Sequence, residues 1–193
     1  MRVAAAFLIA LAVPVGPALG QCTLSTMESQ TDSTHSWVHL GVDFEAAQTF
    51  TLGPGEGGTL DSVTVHLSLV KDLNTSGMLE LRIHEVDGSG EPATELASEG
   101  PIAFGQVPMA KAGFRFTTPA TVTESTPYAL VLKVTGTDPT RLSLFVRWAG
   151  SLTDVYPAGI FLTRDLDPQG PADPGPWQHH DDVDRHFEIH VCQ

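Results

Sequence analysis

The chain has 193 residues, 41% of them hydrophobic, with 23 acidic against 10 basic side chains and a net charge of −13 at pH 7. Such an acidic surface repels nucleic acid and anionic membranes, which argues against both as partners and suits a solute of an extracellular space.

The N-terminus reads as a cleaved secretory signal over residues 1–20. Arg2 supplies a positive charge, an apolar run follows from Val3 to Val13, Pro14, Gly16 and Pro17 break it, and Ala18-Leu19-Gly20 places small residues before the cut. The run is shorter than the roughly 20 apolar residues a bilayer span needs, so no transmembrane segment is expected. Cys22 would suit a lipoprotein only with a small residue before it, and Gln21 stands there. Removing the signal takes Arg2 with it and makes the mature chain one charge more acidic. What remains suffices for one well-cored domain: residues 21–43 lead into it and residues 44–193 form it.

The sequence holds two cysteines, Cys22 and Cys192, near the two ends of the mature chain. In an oxidising compartment an isolated pair is expected to form a disulfide. Such a bond would make the first and last segments neighbours.

Between them, apolar residues recur at period two in short runs broken by Gly, Pro, Asp, Asn and Ser, the pattern of strands rather than helices. Gln48 to Leu52 is one run, ended by the turn cluster Gly53 to Gly58. Leu60 to Val70 follows, with Val63, Val65, Leu67 and Leu69 on one face and Thr64, His66 and Ser68 on the other. After the turn Asn74-Thr75-Ser76-Gly77, Leu79, Leu81 and Ile83 share a face, and Asp87-Gly88-Ser89-Gly90 closes that strand. Phe114 and Phe116 alternate. Tyr128 to Val134 is apolar on both faces apart from Lys133, the signature of a central strand covered on both sides. Leu142, Leu144, Val146 and Trp148 form a face opposite Phe145 and Arg147. Asp165 to Asp182 is proline-rich and reads as a long loop. At the end, Phe187, Ile189 and Val191 point inward, and His186, Glu188 and His190 outward. Seven or more such strands predict an all-β fold, a two-sheet jelly-roll-like sandwich.

A series of short motifs runs through the chain. It comprises Gln48-Thr49-Phe50, Gly58-Thr59-Leu60-Asp61-Ser62-Val63, Gly77-Met78-Leu79-Glu80-Leu81-Arg82-Ile83, Gly88-Ser89-Gly90-Glu91-Pro92, Phe116-Thr117-Thr118-Pro119, Thr126-Pro127-Tyr128-Ala129-Leu130, Tyr156-Pro157-Ala158-Gly159 and Asp184-Arg185-His186-Phe187. In this order it resembles the bacterial extracellular β-sandwich modules called choice-of-anchor R domains, over roughly residues 44–191. The resemblance implies an exported bacterial protein without an assigned activity. The C-terminal anchoring signal that often accompanies the family is not evident here, so release into the periplasm or medium is expected. The cysteine pair is no part of the family pattern.

Three constellations are candidates for function. Trp37, Trp148, Tyr156 and Trp177 are large amphipathic aromatics of the kind that stack on sugar rings. Trp148, Arg147, Tyr156 and Trp177 are close enough in sequence to form one binding patch. Trp148 shares its parity with Leu144 and Val146, so core packing is the competing reading, and Trp177 competes as a pin for the long loop. Asp165, Asp167, Asp181, Asp182 and Asp184, with Asp173, offer hard oxygens for calcium, although turn-making explains aspartates there as well. His179, His180, His186 and His190 are interleaved with them and can ligate a transition metal, but their spacing matches no defined site. Catalysis has no motif behind it: there is no Gly-x-Ser-x-Gly elbow and no His-Glu-x-x-His. Glu80, Glu85 and Glu188 are the carboxylates from which a glycosidase pair would have to come. The expected function is a secreted, non-enzymatic module that binds a glycan or another extracellular or cell-surface component, such as a surface protein. A structural or assembly subunit of the cell envelope is the alternative, and a hydrolase with an unrecognised site a further one. Calcium is the cofactor expectation, and the sequence does not fix the oligomeric state.

Overall fold

The computed structural model describes residues 23–30, 36–41, 44–70, 77–107, 110–136, 145–166 and 174–193. Signal residues 1–20, Cys22, Leu142, Leu144, Asp167 and Asp173 lie outside them. The strands are β1 (Leu24–Gln30), β2 (Ser36–Leu40), β3 (Phe44–Thr51), β4 (Gly58–Val70), β5 (Gly77–Val86), β6 (Pro92–Ala103), β7 (Ala110–Arg115), β8 (Thr121–Val122), β9 (Pro127–Gly136), β10 (Phe145–Ser151), β11 (Phe161–Asp165), β12 (Gln178–His180), β13 (Asp184–Arg185) and β14 (Phe187–Cys192).

They form two antiparallel sheets, as the period-two runs predicted. The first runs β1-β14-β4-β10-β13, with β7 and β8 on the other side of β4 and β2 on the other side of β10. The second runs β12-β11-β3-β9-β5-β6. From β3 to β5, and again from β9 to β11, the chain crosses from one sheet to the other at each connection, which closes a sandwich. β1 and β2, which precede residue 44, are strands of the first sheet.

Alternation decides what is buried, because successive side chains of a strand face opposite sides. Val63, Val65 and Leu67 of β4, Leu79, Leu81 and Ile83 of β5, and Phe187, Ile189 and Val191 of β14 meet in one core between the sheets. β9 lies between β3 and β5, so both its edges are hydrogen-bonded. Its even residues Tyr128, Leu130, Leu132 and Val134 enter that core. Its odd residues Ala129 and Val131 join Ala47, Leu162 and Trp177 in a smaller cluster on the outer face of the second sheet.

Where β10 leaves β4 it meets β13, and Gly150 lies opposite Arg185. A Cβ on Gly150 would run into the carbonyl oxygen of Asp184, so the close approach of these two strands requires glycine. β1 pairs with β14 with Leu24 opposite Cys192, and the two ends of the described chain therefore adjoin. Among the described residues no helix is long and apolar enough to cross a membrane, and no cysteine is free. The partner expected for Cys192, Cys22, lies outside the described residues.

Candidate functional site

The four residues expected to form an aromatic patch are not brought together. Trp148 is fully buried in the main core, where its Nε1–H donates to the carbonyl of His186 at 2.8 Å and Phe161 meets it edge to face, with ring centroids 6.4 Å apart. Its parity with Val146 on β10 puts it there. Tyr156 is also in the core; its hydroxyl accepts the amide of Thr51 at 3.2 Å. Trp177 lies on the far side of the second sheet, over the trough left by the small side chains of Ala47 and Ala129, with the Arg164 guanidinium 4.3 Å from its ring centroid. Its role is to pin the end of the proline-rich segment to the sheet. Arg147 belongs to the outer face of the first sheet, opposite His39 of β2 and Ser68 of β4.

The acidic residues are likewise dispersed. Asp165 is exposed at the end of β11, and Asp181 and Asp182 are exposed in the turn between β12 and β13. Asp184 is buried. Its Oδ2 accepts the amides of Val155 and Tyr156, both at 2.7 Å, and Oδ1 accepts the side-chain amide of Gln48 at 3.4 Å. Burial pushes its carboxyl above the ordinary carboxylate value, and these hydrogen bonds partly offset the push. Next to it, Arg185 is buried with its guanidinium 4.2 Å from the Phe161 ring centroid; desolvation lowers it to about 10, against the charge of Asp184. Asp184 thus fastens the loop after β10 through main-chain amides. Among the described residues no group of three or more His, Cys, Asp or Glu is arranged to hold a metal ion.

The C-terminal histidines divide between the sheets. His180 of β12 hydrogen-bonds Thr163 at 2.9 Å, and His179 lies 3.4 Å from Glu91. His186 immediately precedes β14 and His190 lies within it, in the other sheet. The carboxylates a glycosidase would pair are also apart: Glu80 is bonded to Arg82 at 2.6 Å on the second sheet, and Glu188 belongs to the first.

What the first sheet does assemble is a polar plateau on its outer face. Lys111 of β7 stands opposite His66 of β4, and Thr64 of β4 opposite Glu188 of β14. Lys111 crosses β4 to reach Glu188, with Nζ 2.6 Å from Oε1. That hydrogen bond, first among the causes, holds the Glu188 carboxyl below its ordinary value. His190 is tied by Nε2 to Thr64 and by Nδ1 to Thr26, each at 3.0 Å. His66 meets His186 edge to face at 5.6 Å on one side and Trp37 at 5.6 Å and 80° on the other. His186 is buried at the junction of β10 and β14, and its Nδ1 has no hydrogen-bond partner; burial lowers its basicity, against the attraction of Glu188.

Of the three tryptophans, Trp37 is the one left exposed, at 41%. The sequence carried a signal for this. Val38 and Leu40 alternate with Trp37 and His39, so a strand with Val38 and Leu40 inward turns Trp37 to solvent.

A cleft of about 380 Å³ lies at one end of the second sheet, walled by Val86, Pro127, Pro157 and Ile160. Its polar side chains are already engaged. Thr49 Oγ1 accepts the amide of Ile160 at 2.6 Å, and Asp87 Oδ1 accepts those of Ser89 and Glu91 at 2.8 and 3.1 Å. The plateau, by contrast, presents an aromatic face and charged side chains to solvent.

Neither a scan against protein-family models nor a search of curated proteins returns a match to this chain.

Proposed function

We propose that the protein is a secreted, non-enzymatic module that binds a glycan on the outer face of its first sheet, with Trp37 as the stacking platform. The observation that carries this reading is the placement of Trp37. Its ring is exposed and meets His66 at right angles, with His39 further along its own strand and Arg147 on the adjoining strand β10. A sugar ring offers one apolar C–H face and several hydroxyls. An amphipathic aromatic takes the first, and neighbouring Lys, Arg, His and Thr side chains take the second. The export signal read at residues 1–20, and the resemblance to choice-of-anchor R modules, support an extracellular setting.

Titration of soluble polysaccharides against the protein tests this. Trp37→Ala should weaken binding at least tenfold, whereas Trp177→Ala, on the opposite sheet, should lower the melting temperature and leave affinity intact. Unchanged affinity in Trp37→Ala would overturn the assignment.

The alternative, an assembly subunit of the envelope, is favoured by the strand β6, which is 12 residues long and among the described residues pairs on one edge alone, as an added strand would need. That edge carries Pro92, Pro101, Glu95 and Glu99, and its ladder with β5 shifts register at three places. Prolines, charges and bulges of this kind discourage edge pairing, so glycan binding is the preferred reading.

A further inference from the structure

The charge of the plateau narrows the ligand class, on the premise that this face is the glycan site. The chain as a whole carries −13. Among the described residues of this one face the balance reverses. Lys111, Arg115 and Arg147 stand against Asp61 and Glu188, and both carboxylates are already paired, Asp61 with Arg115 at 3.1 Å and Glu188 with Lys111 at 2.6 Å. His39, His66 and His190 share the face. The cations are also the accessible partners of their pairs: the side chains of Lys111 and Arg115 are 63% and 81% exposed, and those of Glu188 and Asp61 only 17% and 18%.

We propose that the ligand is an acidic polysaccharide of the polyuronate type. Lys111 has three donors and Arg115 five, of which the ion pairs occupy a part, and the planar fork of Arg115 matches a carboxylate. Each uronate ring brings one carboxylate to such cations and several hydroxyls to the imidazoles and threonines between them. A densely sulfated chain is a poorer fit, because among the described side chains of the face Asp61 and Glu188 hold the excess of positive charge to a single unit. The acidic remainder of the molecule does not prevent this, since at physiological salt a charge is felt over only about 8 Å. A bound chain therefore senses the plateau rather than the net charge.

The test compares three probes on the full mature protein: polygalacturonate, the same polymer with its carboxyls methyl-esterified, and dextran sulfate. Polygalacturonate should bind at least tenfold more tightly than the esterified form and more tightly than dextran sulfate. Arg115→Gln and Lys111→Gln should each weaken it about fivefold, and added salt should weaken it further. Equal binding of acidic and esterified polymer, lost in Trp37→Ala, would overturn acid selection while leaving the glycan site standing. Tighter binding of dextran sulfate would overturn the choice of uronate. Failure of the folded protein to bind any of the probes would overturn this inference, and continued silence towards neutral polysaccharides would then overturn the glycan site itself.

Discussion

The Oδ2 atom of Asp184 accepts the main-chain amide of Tyr156 at 2.7 Å, and so fixes the loop after β10 to the short strand before β14. A second bond to the amide of Val155, also 2.7 Å, shares the same oxygen. Asp184→Ala would leave both amides without their acceptor in a buried site, at a cost on the order of 3 kcal/mol. Asp184→Asn keeps an acceptor and sheds the buried charge, so it should cost less than half as much. Urea denaturation of the two variants checks the ordering. Because burial raises the folded-state value of this carboxyl, its protonated form favours folding. That contribution is complete below the unfolded value and is lost as pH rises through the folded one. Asp184→Asn should remove this part of the pH dependence.

His186 titrates in the opposite sense. Burial lowers its folded-state basicity, so between that value and the ordinary imidazole value near 6.5 the unfolded chain holds more protons than the folded one. Stability is therefore complete above about pH 6.5 and falls on acidification through that window. Its surroundings oppose a proton as well: Lys111 and His66 face it, with Glu188 as the counter-charge at 4.0 Å. Melting temperatures measured between pH 5 and 8 should decline towards acid, and His186→Gln should flatten the decline. An unchanged slope would remove His186 as its source.

Trp148 and Trp37 should separate stability from binding. Trp148→Ala empties a fully buried site and orphans the carbonyl of His186 that its Nε1–H satisfies, a loss of about 3–5 kcal/mol. Trp37→Ala removes a ring from the surface and should shift stability by no more than about 0.5 kcal/mol. Guanidinium denaturation of both variants measures the contrast.

A bond between Cys22 and Cys192 should appear in the intact mass of the secreted protein, which would gain two hydrogens on reduction. Opening a loop of almost the whole domain should cost up to about 5 kcal/mol in the chain-entropy account. Cys192→Ser should melt at the temperature of the reduced wild type. A mass unaffected by reductant would exclude the bond.

Those elements were legible in the sequence whose burial is set by their own alternation. Leu79, Leu81 and Ile83 could be read as one inward face, and Tyr128 to Val134 as a strand covered on both sides, because period two and two-sided apolarity are local properties. The strand β6 was not legible, since an edge has no partner on one side and its Glu95, Glu99 and Pro101 break the alternation. The expected binding patch failed for a related reason. Arg147, Trp148, Tyr156 and Trp177 are close in sequence, but strand parity and sheet crossing send them to different surfaces. The plateau was hidden because Trp37, His66, Lys111 and Glu188 come from four strands, and only long-range pairing makes them neighbours.

The ladder joining β1 to β14 begins at Leu24 and Cys192, beside a bond from the amide of Gln193 to the carbonyl of Thr23 at 3.4 Å. Force applied through the two ends would therefore peel the strands apart one rung at a time instead of shearing the whole ladder at once. A covalent link between Cys22 and Cys192 would stand ahead of the first rung and carry the tension itself. The mechanical strength of the domain would then be that of one sulfur–sulfur bond, switched on or off by the redox state of its surroundings.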